Sequence, residues 1–163
     1  MNVSDALLKM VQCSAGNRHD IDHFLKVYAY ARTIAEGEGV PPEVRRTVEL
    51  AAVVHDIACP LCREKYGGTS GKHQERESAP LLRQFFQGTD IDGETLDRVV
   101  YLVERHHTYT GVEGLDHQIL IEADYLVNAG ESGYGEENIR RALETVFKTG
   151  TGRALLQAAY PGT

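Results

Sequence analysis

The sequence predicts an all-α fold, a single-domain helical bundle over residues 1–163. Apolar residues recur at spacings of three and four along most of the chain, which is the pattern of helices with one buried face. No useful length of sequence alternates between polar and apolar residues, as a half-buried strand would. We find no internal repeat, and 163 residues are enough for one good hydrophobic core.

The first predicted helix carries its apolar stripe along residues 21–35. Glycines and prolines follow it, and they indicate that this helix ends and that a new one begins. These residues are Gly37, Gly39, Pro41 and Pro42. Proline is well tolerated in the first turn of a helix. The second helix covers 44–54 and leads directly to the doublet His55-Asp56.

The pattern changes after this doublet. Residues 59–72 contain three glycines and a proline without helical periodicity, so we expect a loop there that borders the doublet. Helical periodicity then returns and predicts the remaining helices. They cover residues 75–86, 96–105, 119–128, 139–147 and 154–159.

Composition limits the classes of partner. The chain has 42% hydrophobic and 25% charged residues, which is ordinary for a globular domain. Its formal net charge of −7 argues against a nucleic acid polymer, because phosphate backbones are bound by clustered lysines and arginines. A small phosphorylated substrate is compatible with this net charge, because a bound metal ion can make the local electrostatic potential positive.

Several features favour a cytoplasmic protein without a membrane partner. Residues 1–8 lack the basic start and apolar core of a signal peptide. No apolar run approaches the roughly 18 residues that span a bilayer. Three cysteines do not suggest a disulfide framework. The apolar residues of 147–160 would suit a homodimer, although the sequence does not decide the oligomeric state.

Four ionisable residues suggest a metal site. His55 and Asp56 lie within an apolar stretch, where such residues are rare unless they are paired, hydrogen-bonded or bound to a cation. His23 lies on the first predicted helix and Asp124 on a later one. Two imidazoles and two carboxylates are a suitable ligand set for a divalent metal. Because helical neighbours point about 100° apart, His55 and Asp56 can face one ion only near a helix end.

The sequence resembles the HD superfamily of metal-dependent phosphohydrolases in three segments. Residues 23–31 look like the helix of the first histidine, and 51–57 look like the signature that carries the His-Asp doublet. Residues 122–126 are similar to the closing aspartate motif. The three segments occur in the family's order and span about 20–130, the motif-bearing core. The resemblance implies an HD-type helical fold.

The resemblance also implies a metal bound by His23, His55, Asp56 and Asp124. Some family members bind a second metal through histidines between the doublet and the last aspartate, where this chain has His73, His106 and His107. A solvated helix terminus is the alternative for His106 and His107. Counting back from Ser78-Ala79, however, the family's third histidine aligns with Gln74. The metal is expected to be Mn, Fe, Zn, Ni or Mg, with one or two ions per chain. Asp56 is the expected catalytic residue: with two metals it would be the bridging carboxylate, whereas with one metal Asp124 or a nearby carboxylate would orient the water as base.

Basic residues near the predicted loop suit phosphate binding above the metal, although solvated loop charge is the alternative. The basic residues there are Arg63, Lys65, Lys72 and Arg76, of which Lys65, Lys72 and Arg76 are assigned to the phosphate. Cys59 and Cys62 form a Cys-x-x-Cys pair, but no second pair completes a zinc cage, so we interpret them as loop residues.

The function that these features favour is hydrolysis of a small phosphorylated compound, with a nucleotide as the expected substrate, by metal-activated water. Two alternatives stay open. One is a non-catalytic, metal-stabilised nucleotide sensor, and the other is a di-iron oxygenase of the same fold. Substrate specificity depends on pocket contacts, which the sequence does not place.

Overall fold

The computed structural model describes all 163 residues and contains nine α-helices and no strand. The helices are α1 (Val3–Cys13), α2 (Arg18–Gly37), α3 (Pro42–Val54), α4 (Cys59–Tyr66), α5 (Gly71–Phe86), α6 (Gly93–Glu104), α7 (Leu115–Glu131), α8 (Glu136–Thr145) and α9 (Gly150–Ala159). The predicted all-α fold class is confirmed. No helix combines the length and the apolar character that crossing a bilayer requires.

Two helices, α3 and α7, lie in the middle of the bundle. α3 packs against α1, α2, α6 and α7, and α7 also packs against α2 and α9. Every residue of Thr47–Val54 on α3 and of Asp116–Val127 on α7 is buried. A buried polar group without a partner costs about 1–3 kcal/mol, so each polar residue on these helices needs an explanation.

The segment expected to be a loop, residues 59–72, contains a helix instead. α4 spans Cys59–Tyr66, with Pro60 in the first turn, where its missing N–H has no helical partner to lose. Gly67 follows in the left-handed conformation, at φ 72°, and ends the helix. The proline and glycine therefore mark the ends of a short helix rather than a loop. α1 is also not among the predicted helices, although Asn2 and Asp5 form a capping box at its start.

Candidate metal centre

Four parts of the fold bring metal-ligand side chains to one point. α2 and α7 each contribute from an inward face, and the turns that follow α3 and α6 contribute the rest. The residues are His23, His55, Asp56, His106, His107 and Asp124.

The turn after α3 explains how consecutive residues can face the same point. α3 ends at Val54, and His55 is its C-terminal cap residue. The ring Nδ1 of His55 lies 2.8 Å from the carbonyl oxygen of Ala52 and donates to it, which fixes the ring. Asp56 lies in the turn that separates α3 from α4. The doublet thus lies at a helix end, as the sequence argument required.

The four residues of the predicted first metal site are close together. His23 Nε2 lies 3.3 Å from Asp56 Oδ2 and 3.3 Å from Asp124 Oδ1. His55 Nε2 lies 3.5 Å and 3.4 Å from the same two oxygens. The two Nε2 atoms are 3.1 Å apart. One small cation could contact an atom of each residue.

In three of the four histidines, a hydrogen-bond partner at Nδ1 leaves Nε2 available to bind a cation. Nδ1 of His55 donates to Ala52, and Nδ1 of His106 donates to the carbonyl of Val103 at 2.6 Å. Nδ1 of His23 lies 2.8 Å from Glu131 Oε2. Such partners fix the tautomer that leaves a lone pair on Nε2, as in most metal-binding histidines. The residues therefore fit a metal.

Unpaired polar atoms in the cluster support the same conclusion. Both carboxylate oxygens of Asp124 and Nε2 of both His106 and His107 are buried without a hydrogen-bond partner. The side chain of Asp124 is only 1% exposed. Leaving a buried carboxylate without donors is costly, and a coordinated cation removes that cost.

Electrostatics make the cluster attractive to positive charge. Burial lowers the pKa of His23, but Asp124 and Asp56 reverse this effect and raise it to about 9, so a bound cation would take the place of a proton on this ring. Burial raises the pKa of Asp124, whereas His23 and His55 bring it well below its usual value. Burial and His106 lower the pKa of His107 to about 4. His107 is therefore neutral at pH 7, which is the form of imidazole that binds metals.

The two histidines after α6 extend the ligand set. His106 Nε2 lies 3.7 Å from Asp56 Oδ1, and His107 Nδ1 lies 4.0 Å from Asp124 Oδ2. The cluster contains three overlapping groups of three ligand atoms, each group within 4.8 Å. Asp56 and Asp124 each have one oxygen near His23 and another near this histidine pair. This arrangement offers donors for a second ion beside the first.

His73, the third histidine expected near the second metal, lies elsewhere. Its ring stacks on Tyr66 with 3.8 Å between ring centroids. Gln74 is instead buried, lines the cavity beside the cluster and keeps its Oε1 unpaired. The expectation for His73 therefore needs correction. The reason is that neighbouring residues on α5 point about 100° apart.

A cavity of about 340 Å³ opens beside the cluster and includes His23, Asp56 and Asp124 in its wall. Arg63 is its only lysine or arginine. Arg63 lies on α4 and pairs with Asp20 of α2, which also lines the cavity.

The three basic residues expected to bind phosphate do not line this cavity. Lys65 pairs with Glu77 at 2.7 Å, and neither Lys72 nor Arg76 is part of the wall. That assignment assumed a loop able to bring these residues over the metal. Residues two apart on a helix point about 200° apart, so the helical α4 directs Arg63 and Lys65 to different sides.

Glu131 is a further residue of the centre that the sequence analysis missed. It lies two turns after Asp124 on α7, and its side chain is 17% exposed. One oxygen accepts from His23, and the other pairs with Lys26 at 3.1 Å. The spacing of seven residues from Asp124 was the available signal, because it returns to the same helix face.

The chain is similar to known proteins over most of its length. The family model of the HD domain matches residues 20–129. The fold is similar to the crystal structure of a predicted HD superfamily hydrolase from an uncultured Thermotogales bacterium, with 24% identity and a TM-score of 0.70. That match covers 96% of this chain and 84% of the other. No curated protein matches the sequence significantly.

Proposed function

Because the chain belongs to the HD-domain family, as its sequence resemblance predicted, we propose that it is a metal-dependent phosphohydrolase of small phosphorylated compounds. The observation that carries this proposal is the buried set of imidazole nitrogens and unpaired carboxylate oxygens beside a cavity with a guanidinium. A nucleotide is one substrate of this class.

The residues that would hold the metal are His23, His55, Asp56 and Asp124, with His106 and His107 as donors for a second ion. A bound divalent metal supplies Lewis acidity toward phosphate oxygens and lowers the pKa of water toward about 7. The other contributions come from the protein.

Two side chains in the cavity wall suit the remaining tasks. The guanidinium of Arg63 can donate two parallel hydrogen bonds to phosphate oxygens, and Asp20 orients it. The side chain of Asp56 is 23% exposed, against 1% for Asp124. Asp56 is therefore the more accessible of these two aspartates of the cavity wall, and it can accept a proton from the attacking water.

The test is hydrolysis of para-nitrophenyl phosphate by protein loaded separately with Mn²⁺, Fe²⁺, Zn²⁺, Ni²⁺ and Mg²⁺. We expect turnover that stops with a chelator and returns with metal. His55→Ala should abolish it, while the control His73→Ala should not, because His73 lies outside the cluster.

Other outcomes would contradict the proposal. Full activity and metal content in His55→Ala would exclude the assigned centre. Nucleotide binding without turnover would favour a sensor, and two irons with visible-region absorbance and no hydrolysis would favour an oxygenase.

A further inference from the structure

A second cavity of about 310 Å³ adjoins the first, and nothing in the proposed chemistry uses it. Tyr109 and Tyr134 line both cavities, so these two side chains form the boundary between them. The second cavity extends from this boundary toward α8 and is also lined by Tyr125 and Arg141. Three aromatic rings and one planar guanidinium thus share one small volume.

The aromatic wall is supported from the core. The buried ring of Tyr125 lies 5.4 Å from the ring of Tyr134 and 5.5 Å from that of Phe147, measured between centroids. The hydroxyl of Tyr125 donates to the side-chain oxygen of Asn138 at 2.6 Å, which fixes its orientation. Because Tyr125 is held in place, it provides a rigid support for Tyr134. A preorganised aromatic wall loses little entropy when a ligand binds.

Tyr109 completes the boundary from the other side. It lies in the segment between α6 and α7 and is 41% exposed, so part of its ring is accessible to a ligand. The wall of the first cavity also includes the charged residues Asp20 and Arg63. A substrate that presents its phosphate to Arg63 and the metal cluster therefore has an aromatic surface on one side for the rest of the molecule.

We propose that the second cavity is the leaving-group subsite, and that the substrate is a phosphate ester whose leaving group carries an aromatic or heteroaromatic ring. Tyr109 and Tyr134 stack on the ring, and the guanidinium of Arg141 adds a cation–π contact. This inference rests on the proposed phosphohydrolase function, because that function places the phosphate in the first cavity.

The experiment compares two phosphonates, in which a P–C bond replaces the ester bond, so the protein cannot hydrolyse them. Benzylphosphonate and cyclohexylmethylphosphonate have the same number of carbon atoms, but only the first has a π face. Binding to the metal-loaded protein is measured by isothermal titration calorimetry. We expect benzylphosphonate to bind about fivefold more tightly, the effect of an aromatic contact beyond area burial.

Two variants test whether the cavity tyrosines cause the preference for the aromatic ring, and a third variant is the control. Tyr109→Leu and Tyr134→Leu should each reduce it, because leucine keeps apolar bulk without a π face. Tyr28→Leu is the matched control, since Tyr28 lies on α2 and lines neither cavity. Equal binding of the two phosphonates, binding of neither, or a preference that both cavity variants retain would overturn the subsite.

The same proteins separate failure of the subsite from failure of the proposed function. A ring preference that depends on Tyr134, without hydrolysis of any phosphate ester, would support the subsite and contradict the hydrolase. Hydrolysis of para-nitrophenyl phosphate together with equal phosphonate binding would support the hydrolase and overturn the subsite.

Discussion

Two carboxylates on α7, Glu122 and Asp124, differ in how the protein satisfies them. Both are almost fully buried, at 0% and 1% exposure. Glu122 accepts hydrogen bonds from the side chains of Gln118 and Thr149 and from the backbone N–H groups of Lys148 and Thr149. These bonds join α7 to the segment that begins α9. Glu122 is therefore a structural carboxylate.

Asp124, two residues later, has no hydrogen-bond donor on either oxygen. Imidazole nitrogens of His23 and His55 lie at 3.3 Å and 3.4 Å, each with its other nitrogen already engaged. The comparison shows that burial alone does not indicate a ligand. A complete set of donors marks a carboxylate as structural, and its absence marks a carboxylate that requires a cation.

Asp124→Asn should give the largest effect, because it removes the central anionic ligand while keeping the shape of the side chain. We expect hydrolysis of para-nitrophenyl phosphate to disappear and the metal-free protein to keep its stability. Activity assays and urea unfolding of metal-free protein measure these effects. Wild-type activity in this variant would refute the ligand role of Asp124.

Glu122→Gln makes the same chemical change at the structural carboxylate and should give the opposite result. Weakening several charge-assisted hydrogen bonds should lower the free energy of unfolding by about 2 kcal/mol, with metal binding retained. Urea unfolding measures the first quantity, and metal titration of the folded protein measures the second. Unchanged stability would show that the hydrogen bonds to Glu122 are not important for the fold.

Glu131→Gln should weaken metal binding about tenfold, because outer partners orient the histidine ligand and raise its basicity. Titration calorimetry with Mn²⁺ measures this without an activity assay. Lys26→Met is the control, since Lys26 contacts the oxygen of Glu131 that faces away from His23. Equal affinities for wild type and Glu131→Gln would exclude a positioning role.

Arg63→Ala should lower kcat/KM for para-nitrophenyl phosphate about tenfold, through loss of charge-assisted hydrogen bonds to phosphate. Lys72→Ala and Arg76→Ala should have little effect, because neither residue lines the cavity. Steady-state kinetics of the three variants distinguish these assignments. A larger loss in Lys72→Ala or Arg76→Ala would restore the residues predicted from the sequence.

Glu38, like Glu122, accepts hydrogen bonds from the protein, and its substitution should give the smallest effect. The N–H of Thr151 donates to it at 2.7 Å, and hydrogen bonds from Thr151 lower its pKa. A lowered pKa gives stability above the unfolded-state value near 4.5, which is lost as the pH falls through the folded-state value.

Glu38→Gln should therefore destabilise the protein by about 0.5 kcal/mol at pH 7, a typical exposed interaction near a helix N-terminus. The difference should vanish at low pH, as measured by urea unfolding across the pH range. A difference independent of pH would contradict the electrostatic explanation.

Much of the centre was predictable because its ligands lie in regular elements or at their ends. His23 and Asp124 each interrupt an apolar helix face, and the doublet occurs where a helical pattern ends. The structure brings these four residues together. The residue types and their order along the chain were enough to predict this site, because side chains on facing helices of a bundle commonly form metal sites.

The errors came from positions where helix phase decides the direction of a side chain. Proline and glycine mark the two ends of α4 without disrupting it. Because a loop was expected, the phosphate role was assigned to Lys65, although Arg63 of the same basic group is the residue that lines the cavity. His73 and Gln74 are consecutive residues of α5, so their side chains point in different directions. His73 stacks on Tyr66, whereas Gln74 lines the cavity. Composition and spacing indicate which residues are available, whereas the exact ends of the helices decide which of them face the cavity.

The most direct test of the central claim is elemental analysis of purified protein after reconstitution with divalent metal, comparing wild type with Asp124→Asn. We predict one or two metal ions per wild-type chain and a loss of metal in the variant. A wild-type protein without metal, or an Asp124→Asn protein with the full wild-type content, would contradict the account.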